Sequence, residues 1–509
     1  MTVRVGEALT VQDVIDVAYG RAEVEPMPGL DASMEPARAV IEGVVASGAT
    51  VYGVTTGFGY LANVRISAEE ATELQRDIVL SHATAVGPEL PEEVVRAMLL
   101  LKARTFAFGA SGVRAVLVHR LIEMLNHRVH PVVPAQGSLG ASGDLAPLAH
   151  LALPLIGRGE ATVNGRRMSG AEALASASIE PIELSYKEGL SLVNGTEGML
   201  ALGILSLHRA EVMARAADIG GAMTVEACLG TDQAFGEALV GLRKHPGPLA
   251  VAANLRNLLA DSEIVASHRH SDHLVQDAYS LRCIPQVHGA YRDALSYVRA
   301  TLTAELASAI DNPSVLAEES TVGSSGNFHG EALALALDHL GLLATGFGTI
   351  AERRVARLVD PELNNGLPAF LTRDPGRRSG FMLTQYTAAS LVSENRSLCF
   401  PASADSIPTS AGQEDHVSMG MTSARKAEVI ITNTERVIAI EALAAAQGLS
   451  LRAPLSPAPA TAAALRAIRD VSEELGDDRP LAPDIEAARS LIADGSLQEA
   501  VETACGSLI

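Results

Sequence analysis

Long helical stretches in the middle of the chain most constrain its fold. They are EGMLALGILSLHRAEVMARAADIGGAM (197–223), YRDALSYVRATLTAELASAI (291–310), HGEALALALDHLGLLATGFGTIAERRVARL (329–358) and SARKAEVIITNTERVIAIEALAAAQG (423–448). Alanine and leucine, two strong helix formers, dominate these stretches, and strand patterns are few. The sequence therefore predicts a mainly α-helical fold.

Local signals place the ends of several elements. Ser67 with Glu70 forms a capping-box pattern, Pro91 opens a helix that Gly109 closes, and Ser111 is placed to cap the next helix. GEATVNGRRMSG (159–170) predicts a small hairpin that turns at the dipeptide Asn-Gly. RAPLSPAPATAA (452–463) predicts a connector before a short helical end. We expect an N-terminal region at 1–195, a central helical bundle at 196–450 and a C-terminal helical segment at 451–509.

Charge and composition narrow the classes of function. The chain has 509 residues and a net charge of −21, which argues against nucleic acid or an anionic membrane as a partner and leaves small metabolites. The N-terminus lacks the apolar core of a signal peptide. The four cysteines form no CxxC pair and are expected to be reduced thiols. We therefore expect a cytoplasmic protein.

The most apolar stretch, residues 331–354, is interrupted by Glu331, Asp338 and His339. It lacks the roughly 18 uninterrupted apolar residues that a membrane span needs. A helix that is apolar nearly all round in a soluble chain is typical of burial in a bundle or at a subunit interface.

Polar clusters rich in glycine lie between the helices, where binding sites are usually built. They are YGVTTGFG (52–59), SHATAVG (81–87), GSLGASGDLAPLAH (137–150), LVNGTEG (192–198), QDAYSLRCIPQVHG (276–289), GNFHG (326–330) and GQEDHVSMG (412–420). The triplet Ala-Ser-Gly at 141–143 also occurs at 110–112. Because the two triplets have the same sequence, only their flanking residues can distinguish a functional triplet from a structural one.

Three common site patterns do not fit. GASGD (140–144) is not the G-x-S-x-G of a nucleophile elbow, and SLGASGD (138–144) lacks the lysine of a phosphate-binding loop. His268, His270 and His273 lie close together in sequence, but they form no helical i, i+4 pair. We therefore expect no metal site.

The stretch GSLGASGDLAPLAH resembles the signature of the aromatic amino acid ammonia-lyases, a family that includes lyases of histidine, phenylalanine and tyrosine and related aminomutases. The resemblance covers nearly the whole chain in the family's order. It implies a mainly α fold with a long central helix bundle and an N-terminal region that carries this loop. It also implies a homotetramer whose active sites draw on three subunits.

The same resemblance implies a built-in electrophile. In the family, Ala-Ser-Gly cyclises to 4-methylidene-imidazol-5-one (MIO), and the matching residues here are Ala141, Ser142 and Gly143. Cyclisation requires the Gly143 nitrogen to attack the Ala141 carbonyl carbon, a contact that ordinary backbone geometry forbids. A residue without Cβ reduces the clash. The triplet at 110–112 lacks the flanking GSLG and GDLAP and is interpreted as structural.

The family match also assigns roles to individual side chains. Tyr52 matches the proposed catalytic base for the β-proton, and Arg282 matches the residue that holds the substrate carboxylate, a task that suits a guanidinium fork. The residues that match positions around the MIO group and the substrate amine are Asn194, Gln276, Tyr279, which we count as catalytic, and Phe328.

Two positions bear on the substrate ring. His82 matches a selectivity position, and Glu414 matches the pattern of histidine-specific members. A carboxylate facing an imidazole has a partner, whereas facing a phenyl ring it would be a desolvated charge. We therefore expect elimination of ammonia from L-histidine to give trans-urocanate, the first step of histidine degradation.

Some residues depart from the histidine-specific pattern. They are Thr55 in TTGFG, Ala278 in QDAYSLRC and His288 in PQVHG. These departures leave a tyrosine ammonia-lyase or an aromatic aminomutase as an alternative. A lyase-like binding protein that has lost turnover is an alternative from another class.

Overall fold

The computed structural model describes residues 1–61, 63–66, 68–270 and 275–509, so Ser67 and His273 lie outside the described residues. Helices dominate the described chain, which confirms the predicted fold class. The helices are α1 (Val11–Ala18), α2 (Leu30–Ser47), α3 (Ala68–His82), α4 (Glu92–Ala107), α5 (Val116–Asn126), α6 (Leu145–Ala152), α7 (Gly170–Ser176), α8 (Glu188–Val193), α9 (Glu197–Ala227), α10 (Glu237–Val240), α11 (Pro246–Leu258), α12 (Glu263–Ser267), α13 (Tyr279–Arg282), α14 (Ile284–Leu306), α15 (Glu331–Val359), α16 (Met382–Leu398), α17 (Gly420–Leu451), α18 (Pro459–Val471), α19 (Ala482–Ala493) and α20 (Ser496–Cys505).

Short strands form small sheets between the helices. They are β1 (Thr2–Val5), β2 (Glu23–Pro26), β3 (Val86–Glu89), β4 (Val129–Pro131), β5 (Pro134–Gln136), β6 (Glu160–Val163), β7 (Arg166–Ser169), β8 (Ser314–Leu316) and β9 (Thr321–Gly323). β1 and β2 pair in parallel, whereas β3 with β5, β8 with β9, and β6 with both β4 and β7 pair antiparallel. Val163 pairs with Arg166 across Asn164 and Gly165, which confirms the predicted hairpin turn.

The chain divides into two compact units, each assembled from segments that are distant in sequence. The first unit comprises residues 1–205, 299–338 and 401–425, and the second comprises 206–298, 339–400 and 426–509. In the first unit every residue of α4 from Val94 to Ala107 is buried, and its apolar side chains form a large part of the core. In the second unit the Arg354 guanidinium is fully buried and donates to Glu441 Oε2 at 2.9 Å.

The predicted boundaries around α4 are confirmed, but the predicted cap of α5 is wrong. Pro91 stands at the N-cap of α4, and Gly109 follows its C-terminus with a φ of +79°. Helix α5 begins later than expected, after Ala115. Ser111 is instead buried, and its hydroxyl has no hydrogen-bond partner among the described residues. The sequence predicted the helix correctly but placed its N-cap four residues early, at Ser111 instead of Ala115, and no side chain caps α5.

Helix α15 contains the most apolar sequence of the chain. Within the described residues it is the helix whose length and composition would suffice to cross a membrane, but 67% of its most apolar window is buried inside the protein. Leu335 and Leu342, seven residues apart on one face, remain 49% and 54% exposed. The helix is therefore mainly a core element that also presents an apolar stripe.

Candidate active site

The loop before α6 makes a tight turn at Gly140–Gly143. The Gly143 amide donates to the Gly140 carbonyl at 3.3 Å. Ser142 has a φ of +50° and Gly143 a φ of +82°, so two consecutive residues occupy the left-handed region. For serine this conformation is strained, and such strain persists only where the surrounding structure enforces it.

The segment at Gly195 enforces this turn. The Gly195 amide donates to the Ser142 carbonyl at 3.1 Å, and the Gly195 carbonyl accepts from the Asp144 amide at 2.7 Å. A Cβ on Gly143 would lie 2.0 Å from the Gly195 oxygen, so no other residue fits there without displacing the backbone. The loop is therefore held on both sides of Gly143.

The triplet at 110–112 has a different environment. Gly112 also has a positive φ, of +67°, but Ser111 is not left-handed and is buried. A Cβ on Gly112 would lie 2.5 Å from Ile41 in the core of the first unit. This triplet therefore packs against the core of the first unit.

Asp144 links the loop to the start of α9 through its side chain. Its side chain is fully buried and accepts from the Ser138 hydroxyl at 3.0 Å and from the Met199 amide at 2.8 Å. Removal from water raises the pKa of Asp144 to about 7, although these donors oppose the rise.

Asn194, at the C-terminus of α8, is fixed by a buried ionic network. Its Nδ2 donates to Asp311 Oδ1 at 3.0 Å and to the Asn312 carbonyl at 3.1 Å. Asp311 also accepts from Lys187 Nζ at 2.7 Å and from the Ser191 hydroxyl at 2.8 Å. Burial opposes ionisation of Asp311, but Lys187 and these hydrogen bonds outweigh it and lower the pKa of the carboxyl.

This network determines which end of the Asn194 amide remains available. A carbonyl, and a carboxylate held ionised by Lys187, can only accept hydrogen bonds, so the amide group that faces them must be the NH₂. Both of its hydrogens are used. The side-chain oxygen of Asn194, Oδ1, is therefore the acceptor that remains for any further partner.

A cavity of about 540 Å³ opens beside the turn in the first unit. Four predicted site residues line it, and they come from four separate segments: Tyr52, His82, Ser142 and Glu414. Its other lining residues are Gly57, Phe58, Gly59, Leu61, Val64, Ile66, Leu74, Asp77, Ile78, Ser81, Leu145, Leu190 and Ser410. The cavity is thus mostly apolar with a few polar groups, as is usual for small-molecule sites.

Hydrogen bonds orient two of these groups. The Gly59 amide donates to the Tyr52 phenolic oxygen at 3.3 Å, and the Tyr52 ring meets Phe58 edge-on at 6.5 Å. Glu414 Oε2 accepts from the Thr409 hydroxyl at 2.8 Å. The second carboxylate oxygen, Oε1, remains available for a ligand.

His82 ends α3 at the wall of the cavity. Ser81 Oγ lies 3.1 Å from its Nδ1. Burial lowers the pKa of His82, and a hydrogen bond to the Ile78 backbone and the charge of Glu414 only partly offset this effect. The imidazole is therefore neutral near pH 7, with one nitrogen able to donate and the other able to accept.

The remaining predicted residues do not line this cavity. Asn194 and Phe328 lie in the first unit, and Gln276, Tyr279 and Arg282 lie in the second. Tyr279 is 72% exposed, and the Arg282 guanidinium lies 4.7 Å from the centre of its ring. Arg282 Nε is buried without a partner among the described residues. Within one chain the structure thus groups only part of the predicted set.

The residues that departed from the expected pattern have structural explanations. The Thr55 hydroxyl donates to the Ala49 carbonyl at 2.7 Å and accepts from the Val51 amide at 2.9 Å, so it closes a turn. His288 is fully buried, with Nδ1 2.7 Å from Asp218 Oδ1. Ala278 is the N-cap residue of α13. None of the three lines the cavity formed within one chain.

Sequence reasoning missed the groups that support the site. Ser410 lines the cavity and accepts from the Tyr60 amide at 3.1 Å. Asp311 and Lys187 orient Asn194 from positions that carry no motif. They are recognisable only through contacts between residues more than a hundred positions apart in the chain.

Comparisons with known proteins identify relatives that span nearly the whole chain. A protein named histidine ammonia-lyase from Symbiobacterium thermophilum is 52% identical over 506 residues, which cover 99% of both chains. The structure of tyrosine aminomutase from Streptomyces globisporus matches with a TM-score of 0.95 and 39% identity over 100% of both chains. Histidine ammonia-lyase from Trypanosoma cruzi matches with a TM-score of 0.91 and 40% identity, over 99% of this chain and 95% of that one.

The family model described as aromatic amino acid lyase matches residues 9–470, which include the turn at 140–143 and every residue of the cavity. This match spans most of the 509 residues. The chain therefore belongs to the aromatic amino acid lyase family.

Proposed function

We propose that this protein eliminates ammonia from L-histidine to give trans-urocanate. Relatives named histidine ammonia-lyase are about half identical to it over their full length. The observation that carries the assignment is the cavity itself, where Glu414 and His82 supply a polar end beside Ser142. We also propose that the enzyme acts in the cytoplasm.

Residues Ala141, Ser142 and Gly143 fit the MIO group. The left-handed backbone at Ser142 and Gly143 and the missing Cβ beside Gly195 are what a cyclisation between neighbouring residues requires. In that reaction the Gly143 nitrogen attacks the Ala141 carbonyl carbon, and two water molecules leave, one of them with the Ser142 hydroxyl. The group supplies an electrophilic methylene that binds the substrate amine, a chemistry that the standard side chains lack.

Tyr52 is the proposed base for the β-proton. It lines the same cavity as Ser142, and the Gly59 amide fixes the position of its oxygen. Asn194 presents an acceptor, which fits an N–H of the substrate amine and not its carboxylate. Arg282, whose Nε has no hydrogen-bond partner among the described residues, is the proposed partner of the carboxylate.

Glu414 and His82 are the proposed partners of the substrate imidazole. Glu414 Oε1 is available to accept from a ring N–H, because Thr409 binds only Oε2. His82 can donate to or accept from the other ring nitrogen. A phenol or phenyl ring would leave the carboxylate with a weaker partner or none, and unpaired buried polar groups are penalised.

We further propose a homotetramer in which neighbouring subunits supply Gln276, Tyr279 and Arg282. Two features support this proposal: Tyr279 is an aromatic side chain left 72% exposed, and α15 carries an exposed apolar stripe at Leu335 and Leu342. Exposed apolar surface of this kind is typical of subunit interfaces.

One assay tests the reaction. Purified enzyme is incubated separately with L-histidine, L-tyrosine and L-phenylalanine, and the products are resolved by their ultraviolet spectra. We expect urocanate and little coumarate or cinnamate. Preferred formation of coumarate, or accumulation of β-tyrosine, would instead assign the protein to the tyrosine lyases or aminomutases. Absence of any product would indicate a binding protein.

A pair of acidic variants tests the ring pocket. Glu414→Gln should lower kcat/KM for L-histidine by about 10- to 100-fold, the equivalent of one hydrogen bond to a charged group. Asp415→Asn, at the exposed neighbouring acid, should have little effect. Equal effects of both variants would remove Glu414 from substrate recognition.

Complementation tests the shared site. Tyr52→Phe and Arg282→Lys should each reduce turnover, but co-expression of the two variants should restore part of the activity, since some sites would then combine intact residues from different chains. The native mass should be four times 53.0 kDa. An active monomer, or no recovery in mixed tetramers, would contradict the proposal.

A further inference from the structure

We propose a divalent-cation site formed by His329, Glu331 and His416. Each residue offers one ligand atom, and the three atoms lie within 4.8 Å of one another. His329 and Glu331 lie at the start of α15, and His416 lies in the loop before α17, all within the first unit. The proposal concerns a site separate from the cavity, since none of the three residues lines it.

The two imidazoles lie close together, but the lone pairs lie in the ring planes, so one ring must turn before both can bind the same ion. Their rings are parallel to within 7°, with centres 5.8 Å apart. His329 Nε2 lies 3.3 Å from the His416 carbonyl oxygen. Because a carbonyl only accepts, Nε2 carries the hydrogen, and Nδ1 keeps its lone pair for a metal. Metal-binding histidines are commonly fixed in this way, by a hydrogen bond from the other ring nitrogen to a backbone carbonyl.

Glu331 supplies the second observation. Its Oε2 is buried and has no hydrogen-bond partner among the described residues. Leaving a buried carboxylate oxygen unpaired is costly, and a cation bound between Glu331 and the two histidines would compensate it. His416 is exposed and His329 and Glu331 are half-buried, so an ion can reach the site from solvent.

The donor set selects the kind of ion. Two imidazole nitrogens and one carboxylate oxygen suit Zn²⁺, with water in the fourth position, whereas Mg²⁺ and Ca²⁺ prefer oxygen ligands. Ligand atoms at about 2.0–2.1 Å from a tetrahedral ion are roughly 3.4 Å apart. The three ligand atoms therefore need to approach one another by up to about 1.4 Å, and binding requires the exposed His416 ring to rotate.

The ion would link two loops. His329 directly follows Phe328, and His416 is two residues after Glu414, so bound Zn²⁺ would fix the backbone on which both of these residues stand. This consequence rests on the proposed function, but binding itself does not.

Zinc titration of chelator-treated protein tests the site. We expect one tightly bound Zn²⁺ per chain, measured by calorimetry and by metal analysis after dialysis, and a rise in Tm on Zn²⁺ addition. His416→Ala and Glu331→Gln should each weaken binding at least about 10-fold and reduce the Zn²⁺-dependent rise in Tm. His270→Ala, at an exposed histidine of the other histidine-rich segment, should bind as the wild type does.

Several outcomes would overturn the site. They are no binding by the wild type, equal binding by wild type, His416→Ala and Glu331→Gln, or loss of binding in His270→Ala. Tm in the absence of Zn²⁺ shows whether a variant is folded, and His416 is exposed enough for His416→Ala to serve if Glu331→Gln is unstable. Loss of zinc binding with urocanate formation retained would leave the proposed function intact.

Discussion

Replacing Gly143 by alanine should prevent formation of the MIO group, whereas the same change at Gly165 should not. The two glycines have nearly the same backbone conformation, with φ of +82° and +76°. They differ in space: a Cβ at Gly143 would lie 2.0 Å from the Gly195 carbonyl oxygen, but at Gly165 nothing lies within 4 Å. Gly165→Ala therefore measures backbone strain alone, and Gly143→Ala measures strain plus collision.

The magnitudes follow from these contacts. A left-handed alanine costs about 1–2 kcal/mol, which is the whole expected loss for Gly165→Ala. At Gly143 the Gly195 segment must also move by more than 1 Å to reach an ordinary contact of about 3.5 Å. That movement would disrupt the hydrogen bonds from Gly195 to Ser142 and from Asp144 to Gly195, each worth about 1–3 kcal/mol when buried groups lose their partners. The expected total is about 3–8 kcal/mol.

Near-ultraviolet absorbance and intact-protein mass both report directly on formation of the MIO group. Wild type and Gly165→Ala should show the near-ultraviolet absorbance of the MIO group and an intact mass that falls short of the sequence by two water molecules. Gly143→Ala should show neither, because the turn that brings the reacting atoms together is displaced. A Gly143→Ala protein with the full mass deficit and the stability of Gly165→Ala would refute this account of the loop.

Three further predictions concern the same region. Ser142→Ala should abolish both the mass deficit and turnover. Ser111→Ala should retain both, since the Ser111 hydroxyl has no partner among the described residues. The opposite result would mean that the triplet at 110–112 reacts instead of the one at 141–143. Burial raises the pKa of Asp144 to about 7, so between about pH 4 and 7 the folded protein retains a proton that the unfolded chain releases. The protonated Asp144 therefore adds to the free energy of unfolding. This contribution is complete below pH 4 and is lost as the pH rises through 7. Asparagine does not titrate, so the Tm deficit of Asp144→Asn relative to wild type should be larger at about pH 5 than at about pH 8; an equal deficit would argue against a protonated Asp144. Asp311→Asn removes the charge that fixes the Asn194 amide. As for a lost hydrogen bond to a charged group, kcat/KM for L-histidine should fall about 10- to 100-fold while the MIO absorbance is retained. Unchanged kinetics would show that Asp311 does not support the site.

The sequence by itself determined the features that depend on neighbours along the chain. The helical fold class, the turn at Asn164–Gly165 and the helix end at Gly109 follow from local backbone preferences. The proposed reactive triplet was also recognised locally, because the residues that flank 141–143 distinguish it from the identical triplet at 110–112. The sequence did not predict the start of α5 correctly, because no side chain caps this helix and the chain therefore carries no local signal there.

Only the tertiary structure decided which distant residues meet. Tyr52, His82, Ser142 and Glu414 line one cavity although up to 362 positions separate them. The orientation of Asn194 depends on Asp311, 117 residues away. Such pairings arise from packing and buried charge, which no periodicity or spacing encodes.

The cavity within one chain holds only part of the residues that the family resemblance assigns to the site. Tyr279 and Arg282 have exposed or unpaired groups in the second unit and do not line the cavity, although the family match assigns them to the site. The sequence identified these residues through the motif that carries the family resemblance, and we propose that they complete the site of a neighbouring subunit. In the proposed homotetramer, neighbouring subunits cover the exposed Tyr279 ring and place the Arg282 guanidinium beside its proposed partner, the substrate carboxylate.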